Sequence, residues 1–410
     1  MENRYDRYKD SGIAWIGEIP EHWNIGYVGK FLNEVNNRNT SQKETNTLQF
    51  KMGEIVSKSD GNSKYNPESI ESYNIVYPGT IMINGLNLSF DFVSQRVGLV
   101  KERGAITSAY LAMKPNDNCS PNYVTYLFKS YDYKKVFHSL GKGLRATLNY
   151  NIIRNELIVL PSFHEQQTIA AYLDQKCGEI DELITLQEEM ITKLQSYKQS
   201  VITEAVTKGL DKNVPLKDSG IKWIGEIPEH WSIICLKRLC RISTGNQDTQ
   251  DSIPDGKYPF FVRSPKVERS NNYTFEGPSI LMAGDGVGAG KVFHLADNKF
   301  ACHQRVYCIN QFSVIVNRIY LFYYMSSLFY NIIDSANSKS TVDSVRLPML
   351  AEFPVCIPLK YEQQAIADYL DQKCSEIDEL ISIKQQKIEK LKEYKKSLIF
   401  ECVTGKRKVS

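Results

Sequence analysis

The sequence predicts an α+β fold: two α/β domains separated by two long antiparallel, coiled-coil-like helices, with the halves related as a pseudo-two-fold internal repeat. Three observations predict it. A fifteen-residue motif occurs twice with a single difference, a twenty-residue helix-forming block also occurs twice, and the stretches between them are dissimilar and rich in strand-forming residues.

The motif comes first. Lys9-Asp-Ser-Gly-Ile-Ala-Trp-Ile-Gly-Glu-Ile-Pro-Glu-His-Trp23 returns at Lys217–Trp231, with only Ala14 and Lys222 differing, and it holds all four tryptophans of the chain. Identical copies beside unlike neighbours point to architecture, so Trp15, Ile16, Ile19 and Trp23 read as core residues fixing the entry to each domain. The Glu21-His22 and Glu229-His230 pairs read as capped turns of that framework.

Next come the inserts, roughly residues 30–160 and 238–357. The first reads as strands at 47–50, 75–77, 80–83 and 97–100, then helix over 123–140. The second reads as strands at 258–262, 279–282, 291–293 and 306–309, then helix over 314–334. Two copies of one framework holding two different inserts imply recognition of two different things.

Each half closes on the helical block, Glu165–Ile184 and again Glu362–Ile381. Apolar residues recur at a 4-3-4-3 spacing: Ile169, Leu173, Cys177, Ile180, Ile184, Ile191, Leu194, Val201 and Ala205, then Ile366, Leu370, Cys374, Ile377, Ile381, Ile388, Leu391, Leu398 and Cys402. Gln187 and Lys198 break the first seam, and Lys384 and Lys395 break the second at equivalent positions. No proline interrupts either block, and forty residues of helix span roughly 60 Å. One narrow seam per helix makes its own duplicate the natural partner, while separate packing of each helix on its own domain is the alternative. The expected domains are 1–163, 164–208 (central helix), 209–359 and 360–410 (C-terminal helix).

Composition narrows the function. Hydrophobic residues at 42% and charged residues at 24% are ordinary for a globular chain, and no apolar run is long enough for a bilayer span. The polar start at Met1-Glu2-Asn3-Arg4 does not read as a secretion signal, and a cytoplasmic protein is expected. The nine cysteines form no Cys-x-x-Cys pair, so buried reduced thiols are expected, with no metal and no cofactor. A net charge of +3 requires any nucleic-acid binder to concentrate its cations on one face.

Catalytic patterns fail one by one. An amino-group methyltransferase needs a Pro-Pro-aromatic loop, and the chain has no Pro-Pro pair. Gly284-Asp-Gly-Val-Gly-Ala-Gly290-Lys291 misses both phosphate-loop and dinucleotide spacings and reads instead as a glycine-rich hairpin tip. Pro254-Asp255 lacks a nearby Glu-x-Lys, and His164-Glu165 is followed by Thr168 where a zinc-protease motif wants His. No Gly-x-Ser-x-Gly elbow occurs. The chain reads as a non-enzyme.

The polar and basic loops offer groove-reading chemistry, since Arg pairs with guanine and Asn or Gln with adenine. In the first insert the candidates for DNA contact are Asn84, Asn87, Gln95, Arg96, Lys142 and Arg145, with Ser94 beside them. In the second they are Arg263, Lys266, Lys291, His303, Gln304, Arg305 and Lys339, with Arg269 and Asp285 nearby.

Ser-Gly-Ile-x-Trp-Ile-Gly-Glu-Ile-Pro-Glu-His-Trp opening a half, and Pro-x-x-x-Glu-Gln-x-x-Ile-Ala-x-Tyr-Leu-Asp closing one at 161–174 and 358–371, resemble the repeats of Type I restriction-modification specificity subunits. Gly141-x-Gly143-x-Arg145-x-x-Leu148 resembles the end of such a target-recognition domain, whereas the second insert has Asn337-Ser-Lys-Ser-Thr341 there, so no role of Arg145 transfers to it. The resemblance spans essentially the whole chain. It implies two target-recognition domains, each reading half of a split asymmetric site in double-stranded DNA. It also implies two copies of a modification methyltransferase subunit docked on the helices, which set the gap, and restriction subunits recruited through the complex. A stand-alone restriction or modification enzyme and a protein-binding coiled-coil scaffold are the competing readings.

Overall fold

The protein is described by a computed structural model covering residues 4–51, 53–58, 70–93, 95–141, 146–336 and 344–409. It divides into two compact units, residues 1–187 with 386–410, and residues 188–385. This division cuts across both long helices, Phe163–Lys208 and Lys360–Val403, so that each unit takes half of each. Each long helix thus contributes residues to both units.

In unit 1 a four-stranded antiparallel sheet runs in the order 32–34, 111–115, 81–83, 97–99. A separate ribbon pairs Asn24–Tyr27 with Leu157–Leu160, closing the insert at its two ends. Unit 2 has a sheet in the order 241–244, 306–310, 279–283, 293–296, and a closing ribbon of Ser232–Cys235 with Pro354–Ile357. The two inserts, which do not align by eye, therefore share a strand order.

The sequence-predicted strands recur within a residue or two, except that 291–293 begins only at Phe293, because Lys291 and Val292 still turn back onto the Gly288 carbonyl. The helix expected over 123–140 is two, Pro121–Tyr133 and Val136–Leu140, broken where Lys135 is left-handed at φ 58°. That expected from 314 starts at Arg318, where the Asn317 side chain accepts from the amides of Ile319 and Tyr320.

The repeated motif and the repeated block exist to grip each other. In unit 1 the indole of Trp23 donates to Glu165 Oε1 at 3.1 Å and His22 Nε2 meets Oε2 at 3.1 Å; in unit 2 Trp231 and His230 hold Glu362 in the same way at 3.0 Å. Gln166, buried, accepts from the Ser120 amide and donates to the carbonyls of Asn118 and Pro161. Gln363 does the same with Asn317, Ile315 and Pro358. Each long helix is thereby fixed at its first turn to both ends of its insert. Glu165→Ala should leave a buried indole N–H unpaired and cost unit 1 about 2 kcal/mol. The check is a shifted tryptophan emission and an earlier denaturant midpoint, both restored by Glu165→Gln.

The seam residues pack within each unit. Ile169, Leu173 and Ile180 are buried with Leu398, Ile399 and Cys402, while Ile184 and Leu391 pack half-buried against them. In unit 2, Ile366 and Leu370 are buried with Val201, Ile202 and Val206. Ile377 and Ile388 are buried, and Ile191, Leu194 and Ile381 half-buried. The segments run antiparallel: Lys395 meets Asp181 at 2.6 Å and Arg407 reaches Tyr172 in unit 1, and Lys198 meets Asp378 at 2.6 Å with Lys384 on the Met190 sulfur in unit 2. Two of the polar breaks in the seam are therefore cross-helix ion pairs. Half-exposed as they are, such pairs fix register more than they stabilise.

Candidate nucleic-acid interface

The candidate residues of unit 2 come from three separate turns. Arg263 and Lys266 lie in the turn after strand 258–261, Lys291 in the glycine-rich hairpin loop 284–292, and His303, Gln304 and Arg305 in the turn before strand 306–310. The sheet brings these turns together. The Gly284 amide donates to the Arg305 carbonyl, and Gly288 lies so close to the Arg263 carbonyl that a side chain at 288 would collide with it.

Asp285 sits at the convergence. Its carboxylate, mostly shielded, takes Arg263 Nη1 at 3.0 Å on one oxygen and Arg305 Nη1 at 3.4 Å on the other. Both guanidiniums remain largely exposed, with N–H groups to spare. A carboxylate between two arginines pre-orients two planar donor forks, an arrangement suited to base edges or phosphate. Asp285 thus orients both arginines.

The remaining unit 2 candidates sort by exposure. Gln304 is exposed and donates to Asp248, and Lys266 is exposed in its turn. Lys291 lies over the Tyr330 ring at 4.1 Å. His303 differs from the exposed group expected: its imidazole is buried, with Nδ1 accepting from the Arg305 amide and Nε2 beside Asp248, so it shapes the turn. The Thr249 amide, and after it His303, hold the Asp248 carboxyl below the usual carboxylate range. Arg269 is spent on the carbonyls of Gly256 and Lys257.

In unit 1, Asn84, Asn87, Gln95 and Arg96 all fall on the loop joining strands 81–83 and 97–99, the counterpart of loop 284–292. Asn87 is exposed and left-handed, and Gln95 is exposed across the turn at Gly53. Asn84 is half-buried, its side chain capping the Leu86 amide. Arg96 differs likewise from the exposed group expected. It is fully buried, and its guanidinium donates to the carbonyls of Asn84, Leu86 and Asp91. Those contacts make it the internal brace of the loop and withdraw it from any ligand.

Lys142, Arg145, Lys339 and Ser94 lie outside the described residues. Two described residues that follow the basic ones in the chain pair alike: Leu148 donates to the Gly85 carbonyl in unit 1, and Val345 to the Gly284 carbonyl in unit 2.

Sequence reasoning missed the tyrosines that tie the inserts to the framework. Buried Tyr123 donates to the carbonyls of Val159 and Val403, and Tyr320 to those of Cys356 and Val206; Tyr126 and Tyr323 donate to Asp174 and Asp371. Burial foremost pushes the phenols of Tyr123 and Tyr320 far up, so they stay protonated donors. The signal was present, because this Tyr-x-x-Tyr pair recurs at the same offset as the helical block.

Among the described residues no group of three or more His, Cys, Asp or Glu could hold a metal ion, and no helix is long and apolar enough to cross a membrane.

Residues 228–393 match the family described as the Type I restriction modification DNA specificity domain. The chain is 24% identical to a putative type I restriction enzyme MjaX specificity subunit from Methanocaldococcus jannaschii, over 96% of both chains. It is 23% identical to the MjaVIII specificity subunit of the same organism, over 95% of this chain and 94% of the relative. Among solved structures, one chain from work on complex assembly and conformational transition of the type I R-M system superposes with a TM-score of 0.71 at 15% identity, covering 94% of this chain and 98% of its own length. The HsdS subunit from Thermoanaerobacter tengcongensis superposes with a TM-score of 0.50 at 15% identity, over the same shares of the two chains. These likenesses bear on the fold, a mixed α/β one that includes long helices.

Proposed function

We propose that the chain is a specificity subunit of a type I restriction-modification system, without chemistry of its own, and that each of its units reads one half of a split, asymmetric site in double-stranded DNA. The match of residues 228–393 to the specificity domain and the full-length likeness to the MjaX and MjaVIII subunits support this reading. The observation that carries this reading is the convergence of three turns on Asp285, which presents Arg263 and Arg305 as two oriented, exposed forks. Loop 84–96 takes the same place in unit 1, with Asn87 and Gln95 as its exposed amides. In this reading the paired helices fix the gap between half-sites, and the two units stand in a pseudo-two-fold relation.

Two docked methyltransferase subunits supply the chemistry that this chain lacks. The helices offer a face for them away from the seam. Leu183 and Leu186 are exposed, and so are Leu380 and Ile383 at the equivalent positions of the second block. Repetition of an exposed apolar pair supports two copies rather than one. Leu183→Glu with Leu186→Glu should leave the fold intact and remove one methyltransferase subunit, which native mass spectrometry of the complex reads directly. Loss of both subunits, or of neither, would refute the assignment of one subunit to each pair.

Methylome sequencing of a host expressing this chain with its methyltransferase tests the function. A single two-part motif, methylated in both halves, is expected. Affinity for that site should also fall linearly on a log–log plot against salt, as counterion release requires. A methylated motif without a gap, or binding indifferent to salt, would sink the proposal.

A further inference from the structure

The hairpin loops that the two units hold in common share a second property that recognition by hydrogen bonds does not use. In unit 1, Phe90 is 77% exposed and Val93 92% exposed, with Phe92 exposed between them. In unit 2, Val287 is 95% exposed at the tip of the glycine-rich loop. Single exposed apolar residues are ordinary on protein surfaces. Here, however, the same hairpin of the same sheet ends in an apolar tip twice, in inserts with no evident sequence similarity.

These tips are braced. In unit 1 the buried Arg96 ties together the carbonyls of Asn84, Leu86 and Asp91, Lys135 Nζ donates to the Phe92 carbonyl, and the Phe92 ring stacks on His138 at 4.8 Å. Burying a guanidinium is costly, and here the cost goes into the shape of a surface loop. In unit 2, Gly290 is left-handed at φ 65° and packs against the side chains of Ile333 and Phe329, and Asp285 locks the flanking turns. A rigid apolar tip loses little entropy when it is buried by a partner.

Charge names the partner. Each tip carries one carboxylate, Asp91 or Asp285, and each is held by arginine: Arg96 at 3.5 Å, and Arg263 and Arg305. The tip therefore presents apolar atoms to a polyanion without a free negative charge beside them. Apolar side chains that enter the minor groove and insert between base steps unstack them and kink the duplex.

We propose that each hairpin tip is a wedge: Phe90 and Val93 in unit 1, and Val287 in unit 2, enter the base stack of their half-sites and unstack one step in each. This deepens the reading of the chain as a DNA specificity subunit and rests on it. A wedge would add selectivity for an easily unstacked pyrimidine–purine step without any hydrogen bond to a base.

The test uses the full chain with its methyltransferase and duplexes of the methylated site, each carrying one 2-aminopurine, a base that fluoresces when unstacked. One bright position is expected in each half-site, apart from the methylated adenine. Phe90→Ser with Val93→Ser should darken it in one half-site only, and Val287→Ser in the other. Affinity should drop roughly tenfold with the Phe90 change, the scale of one lost base–aromatic stack, and the salt slope should not move, because no phosphate contact is removed. Salt-sensitive binding to a duplex stacked everywhere but at the methylated adenine would overturn the wedge and leave the specificity reading standing. The wedge is equally overturned if the variants keep the bright positions, or lose the methyltransferase subunits instead. Absence of any salt-sensitive DNA binding would overturn the specificity reading itself.

Discussion

Replacing residues 28–156 by a second copy of residues 236–353 should convert the methylated site from two unlike halves into an inverted repeat of one half, with the gap unchanged. The boundaries are set by equivalent hydrogen bonds, Val28 N–H to the Glu156 carbonyl at 2.8 Å and Leu236 N–H to the Phe353 carbonyl at 2.9 Å. Outside them lie the closing ribbons and the clips made by Glu165 and Glu362. Inside them, Tyr320 and Tyr323 bring the contacts that Tyr123 and Tyr126 would have made. The transplanted insert therefore meets a framework built for it. Sequencing the methylome of a host carrying the hybrid reads the outcome. An inverted repeat supports a two-fold relation between readers, a direct repeat would replace it with a translational one, and an unchanged motif would remove DNA reading from the inserts altogether.

This expectation depends on a duplication that was legible in the sequence, because framework residues are held by contacts that recur in both halves. Trp23 with Glu165 and Trp231 with Glu362 are the same clip, and a clip tolerates little change. The helical seam was legible for a related reason: burial at a 4-3 spacing leaves its mark on residue type. Inside the inserts the marks fade. Their sheets share a strand order while their strands share few residues, since a half-buried strand requires only suitable apolar side chains on one face. The candidate interface was legible as a set of polar loops, but not in its division of labour. Nothing in the types of Arg96 and Arg305 tells one from the other. What separates them is the neighbouring backbone: three carbonyls converge on Arg96, and a single shared carboxylate meets Arg305.

That contrast yields an expected pair of results. Arg96→Met should destabilise unit 1 by about 3 kcal/mol, because the carbonyls of Asn84, Leu86 and Asp91 lose their donors and the Asp91 carboxylate its cation. Arg96→Lys should recover only part of this, as one ammonium cannot span three carbonyls as a guanidinium fork does. Hydrogen exchange locates the damage. The Leu88 and Leu148 amides, bonded to Ala146 and Gly85, should lose protection, while the Ala283 and Val345 amides of unit 2 should keep theirs. Methylation would then relax in one half-site alone, through a misshapen loop. Arg305→Met should behave in the opposite way. Its side chain is largely exposed and Asp285 keeps Arg263, so stability should move by less than about 1 kcal/mol. Discrimination in the other half-site should fall by about 1–3 kcal/mol at one base pair, if that fork reads a base edge. If it rests on a phosphate, affinity should drop for every sequence alike and the salt slope should lose about one unit. A stable, fully protected Arg96→Met protein would show that the loop holds its form without its buried arginine, and the brace assigned here would have to be found elsewhere.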